Sequence, residues 1–197
     1  MHHAPRAAIA AAALLVLAAC GSEPSDEAQQ EAASAGEISA DAVRLNGEGL
    51  SAGGEKFFFN AGRSEVGTAL ENVLGEPARS ATNTECDEGP IDFVDYDGGL
   101  TLHFTDGSLV GWNWHLPYEG DGPISEDVAV AGDMTLGLSR AAIAGREDFE
   151  LLEDSTLGEE FRLGGGAGKV GGFIEDGEVA ALFAGTQCFI RGNAAAQ

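Results

Sequence analysis

Residues 100–114, LTLHFTDGSLVGWNW, decide how this chain is built. The left arm alternates apolar and polar residues at the period of a half-buried strand. Asp106-Gly107 is the dipeptide best suited to a two-residue hairpin loop. With that turn, Thr105 faces Ser108, Phe104 faces Leu109, His103 faces Val110, Leu102 faces Gly111 and Thr101 faces Trp112. Alternation then puts Leu100, Leu102, Phe104 and Leu109 on one face, and Thr101, His103, Val110, Trp112 and Trp114 on the other. The first set is the seat for a helix carrying Val66, Leu70 and Val73. The second makes an aromatic strip with two possible fates. It faces water as a recognition surface, or it is buried where another part of the chain folds across it. The residues leave both open.

The same pattern returns downstream. VGGFIEDGEVAALF, residues 170–183, matches the hairpin at an offset of 70, with Asp176-Gly177 on Asp106-Gly107, Ile174 on Phe104 and Val179 on Leu109. Gly137 of GLSRAAIAG falls on Gly67 of GTALENVLG at the same offset, and ISEDVAVA at 124 resembles ISADAVRL at 38. A shared offset over separate features implies an internal duplication. In the first copy EKFFFN reads as a short strand or apolar lead-in. Val66, Leu70, Val73 and Leu74 have helical spacing, with a Thr68/Glu71 capping box or a Ser64 cap, and Gly75 and Pro77 as the stop. In the second, Ser139 starts a helix with Leu138, Ala142 and Ile143 on its apolar side, and Gly145 ends it. REDFELLEDSTLGEEFRL adds a short helix or an irregular segment. Helices on one side of antiparallel hairpins give an α+β layer. The expected architecture is two tandem α+β units, 38–119 and 120–197.

The amino terminus is set apart. A short basic start, the thirteen-residue apolar run AAIAAAALLVLAA and Leu17-Ala18-Ala19-Cys20 follow one another. A membrane span needs about 20 apolar residues, so the run is better read as a cleavable signal. Leu-Ala-Ala-Cys closely resembles the lipobox of bacterial lipoproteins. The resemblance implies a signal peptide over 1–19, a lipid on Cys20 and a firm acyl anchor. Gly21 and Ser22, with no aspartate after the cysteine, imply outer-membrane placement facing the periplasm. Residues 20–37 have no large apolar residue and read as a disordered acidic tether. Loss of Arg6 takes the formal charge from −23 to −24, which argues against nucleic acid and anionic lipid surfaces as partners.

In an oxidising envelope compartment, the two remaining cysteines, Cys86 and Cys188, are expected to pair. Closing so long a loop is worth roughly 4–5 kcal/mol in the entropic picture. With only His103 and His115 beyond the leader, no metal-ligand cluster is in view. Asp92, Asp95 and Asp97 miss the calcium-loop spacing and read as solvated turn carboxylates. The run from Gly164 to Gly168 reads as a loop between strands. No Gly-x-Ser-x-Gly elbow, His-Glu-x-x-His or phosphate loop occurs, and neither a catalytic group nor a cofactor is assigned.

The doubled helix-and-hairpin pattern resembles the beta-lactamase inhibitory protein fold. The glycine-led helix, Leu-Gly-x-Pro and strands resemble the small outer-membrane assembly lipoproteins of the BamE/SmpA type. CDEGP and the Gly-Thr-x-Cys of Gly185 to Cys188 are similar to segments of other lipoproteins, whose likeness implies no chemistry. The expected function is therefore a non-catalytic protein-binding module of the cell envelope, in assembly or in inhibition. Ligand binding in a cleft between units comes second, and an enzyme third.

Overall fold

The computed structural model describes residues 40–117, 122–164 and 168–189. The leader, Cys20 and the tether lie outside these residues, as do 118–121 in the link between the expected units and the middle of the glycine run. Residues 38–197 form one compact unit. Its elements are β1 (Val43–Asn46), β2 (Gly49–Ala52), β3 (Glu55–Phe58), α1 (Arg63–Leu74), β4 (Arg79–Asn83), β5 (Ile91–Tyr96), β6 (Leu100–Thr105) and β7 (Ser108–His115). They continue with β8 (Val128–Val130), α2 (Arg140–Ala144), β9 (Phe149–Leu152), β10 (Glu159–Leu163), β11 (Val170–Glu175) and β12 (Glu178–Gly185). The fold is α+β, with two helices packed against two sheets. One sheet runs β3-β2-β1-β8, the other β4-β5-β6-β7-β12-β11-β10-β9.

The large sheet is antiparallel throughout, and β7 pairs with β12 at its centre, Asn113 opposite Phe183. Both Asp-Gly turns form as expected, with φ of 51° and 76° at Asp106 and Gly107 and 51° and 84° at Asp176 and Gly177. These left-handed values are what a two-residue hairpin loop demands. One core joins the two sheets. It gathers Leu45, Leu50 and Val130 from the small sheet, Val66 and Leu70 from α1, and Leu102, Trp112, Phe161 and Leu182 from the large one. β2 is buried along its whole length because α1 and β7 both lie against it.

Several expectations are corrected. α1 begins earlier than either proposed cap; Gly62 is its N-cap, with no side-chain bond. Thr68 Oγ1 instead donates to Ser64 O, 2.9 Å, inside the helix. The stop at Gly75 holds, its N–H donating to Glu71 O. In α2, Ser139 does cap, accepting from Ala142 N at 3.3 Å. Gly67 lies inside α1 whereas Gly137 precedes α2, so these two glycines are not equivalent. Residues 149–163 contain two strands rather than a helix. Phe149, Leu151, Phe161 and Leu163 alternate with Glu150 and Arg162, a period of two that the dense run of acids conceals.

Candidate functional site

The placement of the tryptophans follows from one residue. β6 and β7 pair Thr105 with Ser108 and Phe104 with Leu109, and the register then shifts, so that His103 faces Gly111, Leu102 faces Trp112 and Leu100 faces Trp114. Val110 is the extra residue of a β-bulge. A one-residue insertion reverses the parity of everything beyond it. Trp112 and Trp114 therefore join Leu100, Leu102 and Phe104 in the core, at 0% and 1% exposure. Trp112 Nε1 donates to Asn46 O at 2.9 Å, and Trp114 Nε1 to Gly98 O at 3.1 Å. The exposed aromatic strip does not exist. Trp112 instead joins the large sheet to the small one through Asn46 of β1, while Trp114 ties β7 to the β5–β6 turn.

Thr101, His103 and Val110 do lie on the opposite, outer face of the large sheet. So do Phe93 on β5, Asn113 on β7, Phe183 on β12, Phe173 on β11 and Arg162 on β10, as the ladder registers place them. The segment Thr186–Phe189, a strap that doubles back from the end of β12, crosses this face. Thr186 N donates to Val110 O at 2.8 Å. Gln187 Nε2 donates to Trp112 O and Ala184 O at 3.1 and 2.9 Å. Phe189 sets its edge against Phe173 and Phe183, with centroids 5.3 and 4.9 Å away. Cys188 is bonded to Cys86, across a separation of 102 residues, as expected.

His103 is buried beneath the strap, 3% exposed, with Phe93 edge-on at 4.7 Å. Its Nδ1 lies 2.8 Å from Thr186 O, which fixes the neutral ring as the Nδ1–H donor. Burial pushes its pKa below the ordinary 6.5, against the opposing pulls of the Thr186 carbonyl and Asp95. Thr101 Oγ1 donates to Asp95 Oδ1 at 2.8 Å. His115 bonds back to its own neighbour, Leu116 O. The two histidines share no site. Tyr96, on the inner face, is pushed up to about 12 by burial and by Glu71.

Beside the strap lies a groove of about 770 Å³ lined by Phe59, Val110, Arg162, Lys169, Phe183 and Phe189 among others, with Glu88 and Glu160 also in its wall. Its two cations stand out in so acidic a chain. Arg63, Arg79, Arg140 and Arg146 each pair with a carboxylate. No ion pair is formed by Arg162 or Lys169 with a described residue, and both are exposed. Glu160 is buried and accepts from Ser155 Oγ at 2.6 Å.

Asp92 and Asp95 are engaged by Arg63, Thr82, Arg79 and Thr101. Among the described residues, no group of three potential metal ligands occurs, and no helix is long and apolar enough to cross a membrane.

The groove and strap were not singled out from the sequence. One signal was available. Gly111 and Gly185 face each other at the end of β12, and a Cβ on Gly111 would come within 2.4 Å of Thr186 O. Two facing glycines at the end of a strand pair mark a place where another backbone passes.

Compared with protein-family models, curated proteins and solved structures, the chain matches none of them.

Proposed function

We propose that this chain is a lipid-anchored, non-catalytic binding module of the bacterial cell envelope, whose contact surface is the outer face of the large sheet. One observation carries the reading. Eight hydrogen-bonded strands present a face that, among the described residues, the strap crosses but neither the helices nor the small sheet covers, since both pack in the core on the other side. At the usual strand spacing and rise such a face is about 35 Å by 17 Å, roughly 600 Å², approaching the ~800 Å² that one partner contributes to a standard protein interface. Its half-buried Phe93, Phe173, Phe183 and Phe189 supply aromatic contact area, and Arg162 and Lys169 supply cations able to meet a partner's carboxylates. The lipobox at Leu17 to Cys20 supports the anchor, and the acidic tether supports a domain held away from its membrane. The intramolecular disulfide fits an oxidising compartment.

Ligand binding remains the second reading, favoured by the groove, whose 770 Å³ lies in the range of small-molecule sites.

We also infer that residues 38–119 and 120–197 descend from one duplicated unit. What supports this is the matching detail of the two hairpins. Val110 and Ala180 are bulge residues at the offset of 70, with register shifts after His103 and Phe173. Their carbonyls accept from Thr186 N and Leu116 N, at 2.8 and 2.9 Å, again 70 apart. Arg63 N donates to Gly107 O and Arg140 N to Gly177 O, both at 2.8 Å. The small sheet departs from the pattern. β1 and β8 are parallel neighbours, Val43 opposite Val128, whereas the symmetry relating β7 to β12 makes its partners antiparallel.

The test is photocrosslinking in living cells from a reactive residue placed at Arg162 or Lys169, with Arg44 and Lys56 on the small sheet as matched positions. A discrete adduct from the first pair alone supports the assignment. Adducts from the second pair alone, or from neither, refute it.

A further inference from the structure

We propose that the Cys86–Cys188 disulfide is a redox latch on the strap, whose reduction lets Thr186–Phe189 swing off the outer face about a hinge at Gly185. This rests on the binding assignment above, because it concerns control of that same face. The chain leaves β12 at Gly185 with φ of 72°, where a Cβ would come within 2.2 Å of Val110 O. Gly111, opposite, leaves the space through which Thr186 passes. The glycine pair thus lets the chain reverse across the sheet and places its freest backbone rotation at the root of the strap.

Beyond the disulfide, the strap is held by the Thr186–Val110, His103–Thr186 and Gln187 hydrogen bonds, by Asn83 Nδ2 donating to Cys188 Sγ at 3.4 Å, and by the Phe189 ring. The net worth of those hydrogen bonds is comparable to the backbone entropy of ordering so short a segment. Its fit is also incomplete. Gln187 Oε1, and Asn113 Oδ1 on the same face, are sealed with no donor among the described residues, and lifting the strap gives the Gln187 oxygen access to water. The covalent tie therefore decides whether the strap stays down. When it lifts, His103 and the rings of Phe173 and Phe183 are uncovered. The contact surface then gains apolar area that the oxidised protein hides.

The reductant is a dithiol, of the kind carried by thiol–disulfide exchange proteins. One of its thiolates attacks Sγ of Cys188, the less buried cysteine. An S–S bond forms to the reductant as the Cys86–Cys188 bond breaks, and Cys86 leaves as a thiolate. The second thiol of the reductant resolves the mixed disulfide and releases Cys188. The reductant departs as a disulfide, having given two electrons, and its two protons end on the cysteine thiols.

The experiment uses the full-length chain, oxidised and then treated with dithiothreitol, beside a Cys86→Ser, Cys188→Ser double variant without reductant. Amide exchange at Thr186 and carbene footprinting of Phe173 and Phe183 are read together. The latch predicts at least tenfold faster exchange at Thr186 and severalfold heavier labelling of both rings, in the reduced protein and in the variant alike. β5, β6 and β7 keep their protection. An unchanged Thr186 and unchanged rings would overturn it. So would loss of protection throughout the sheet, which would make the disulfide a staple of the fold. These readouts need no partner, so they separate the two ideas. An opening strap with no adduct at Arg162 or Lys169 defeats the surface assignment alone, and adducts with a closed strap defeat the latch alone.

Discussion

Val110 is the inserted residue of the β6–β7 bulge, and its insertion turns Trp112 and Trp114 into the core. Both indoles are buried and hydrogen-bonded to backbone carbonyls, so truncation leaves a large cavity and an unpaired acceptor. Trp112→Ala is expected to destabilise the domain by about 3–5 kcal/mol, measured by urea denaturation. A change under about 1 kcal/mol would mean that the ring is not packed. His103 gives a second prediction with a definite sign. Its folded pKa lies below 6.5, so above that pH its contribution is complete. As pH falls through 6.5 toward the folded value, the unfolded chain binds a proton that the folded chain does not, and stability is lost. His103→Gln can donate to Thr186 O without titrating. The melting-temperature advantage of the parent over this variant should therefore shrink between pH 7.5 and 5.5, and a constant difference would contradict the buried neutral ring. Alternation located both strands and the turn between them. It could not locate a bulge, because a one-residue parity shift leaves no mark in composition.

Among the elements, the two helices differ in how they start. α2 is five residues long, too short to persist without tertiary packing and its cap. Ser139→Ala should cost about 1 kcal/mol. Ser64→Ala should change stability by less than about 0.5 kcal/mol, since Gly62, not Ser64, caps α1. Equal effects on thermal unfolding would contradict the observed caps. Ser139 was identifiable beforehand because a serine stood directly ahead of an apolar, helix-forming run. At α1 two plausible caps competed, and the bond from Gly62 O to Val66 N, 3.1 Å, won because the neighbouring Ala61 is pinned to Leu109 in the sheet. The strands at 149–163 were hidden for another reason. Glu and Asp are scattered through the run, and the alternation of Phe149, Leu151, Phe161 and Leu163 is interrupted by the turn between β9 and β10. Propensity gave way to pairing with β11, the next strand along the chain.

At the scale of the molecule, the α+β class, both hairpins and the disulfide could all be read from residues and spacing. The central β7–β12 pairing could not, since sequence periodicity shows which face a strand buries but not which strand lies beside it. That pairing makes one broad sheet from the two halves and creates the outer face. It also brings Arg162 and Lys169 to a groove beside Val110 and Phe183. In a chain of formal charge −23, cations left without an acidic partner are informative, and four occur among the described residues: Arg44, Lys56, Arg162 and Lys169. They permit a controlled comparison. Full-length protein with Arg162→Glu and Lys169→Glu carries the same charge change as protein with Arg44→Glu and Lys56→Glu, but on the opposite sheet. The decisive measurement is quantitative recovery of crosslinked partner from cell envelopes, with circular dichroism establishing that both variants fold. If the outer face is the contact surface, the first variant loses at least tenfold of the recovered partner and the second retains it. Equal recovery by the two, or selective loss in the second, would contradict that assignment.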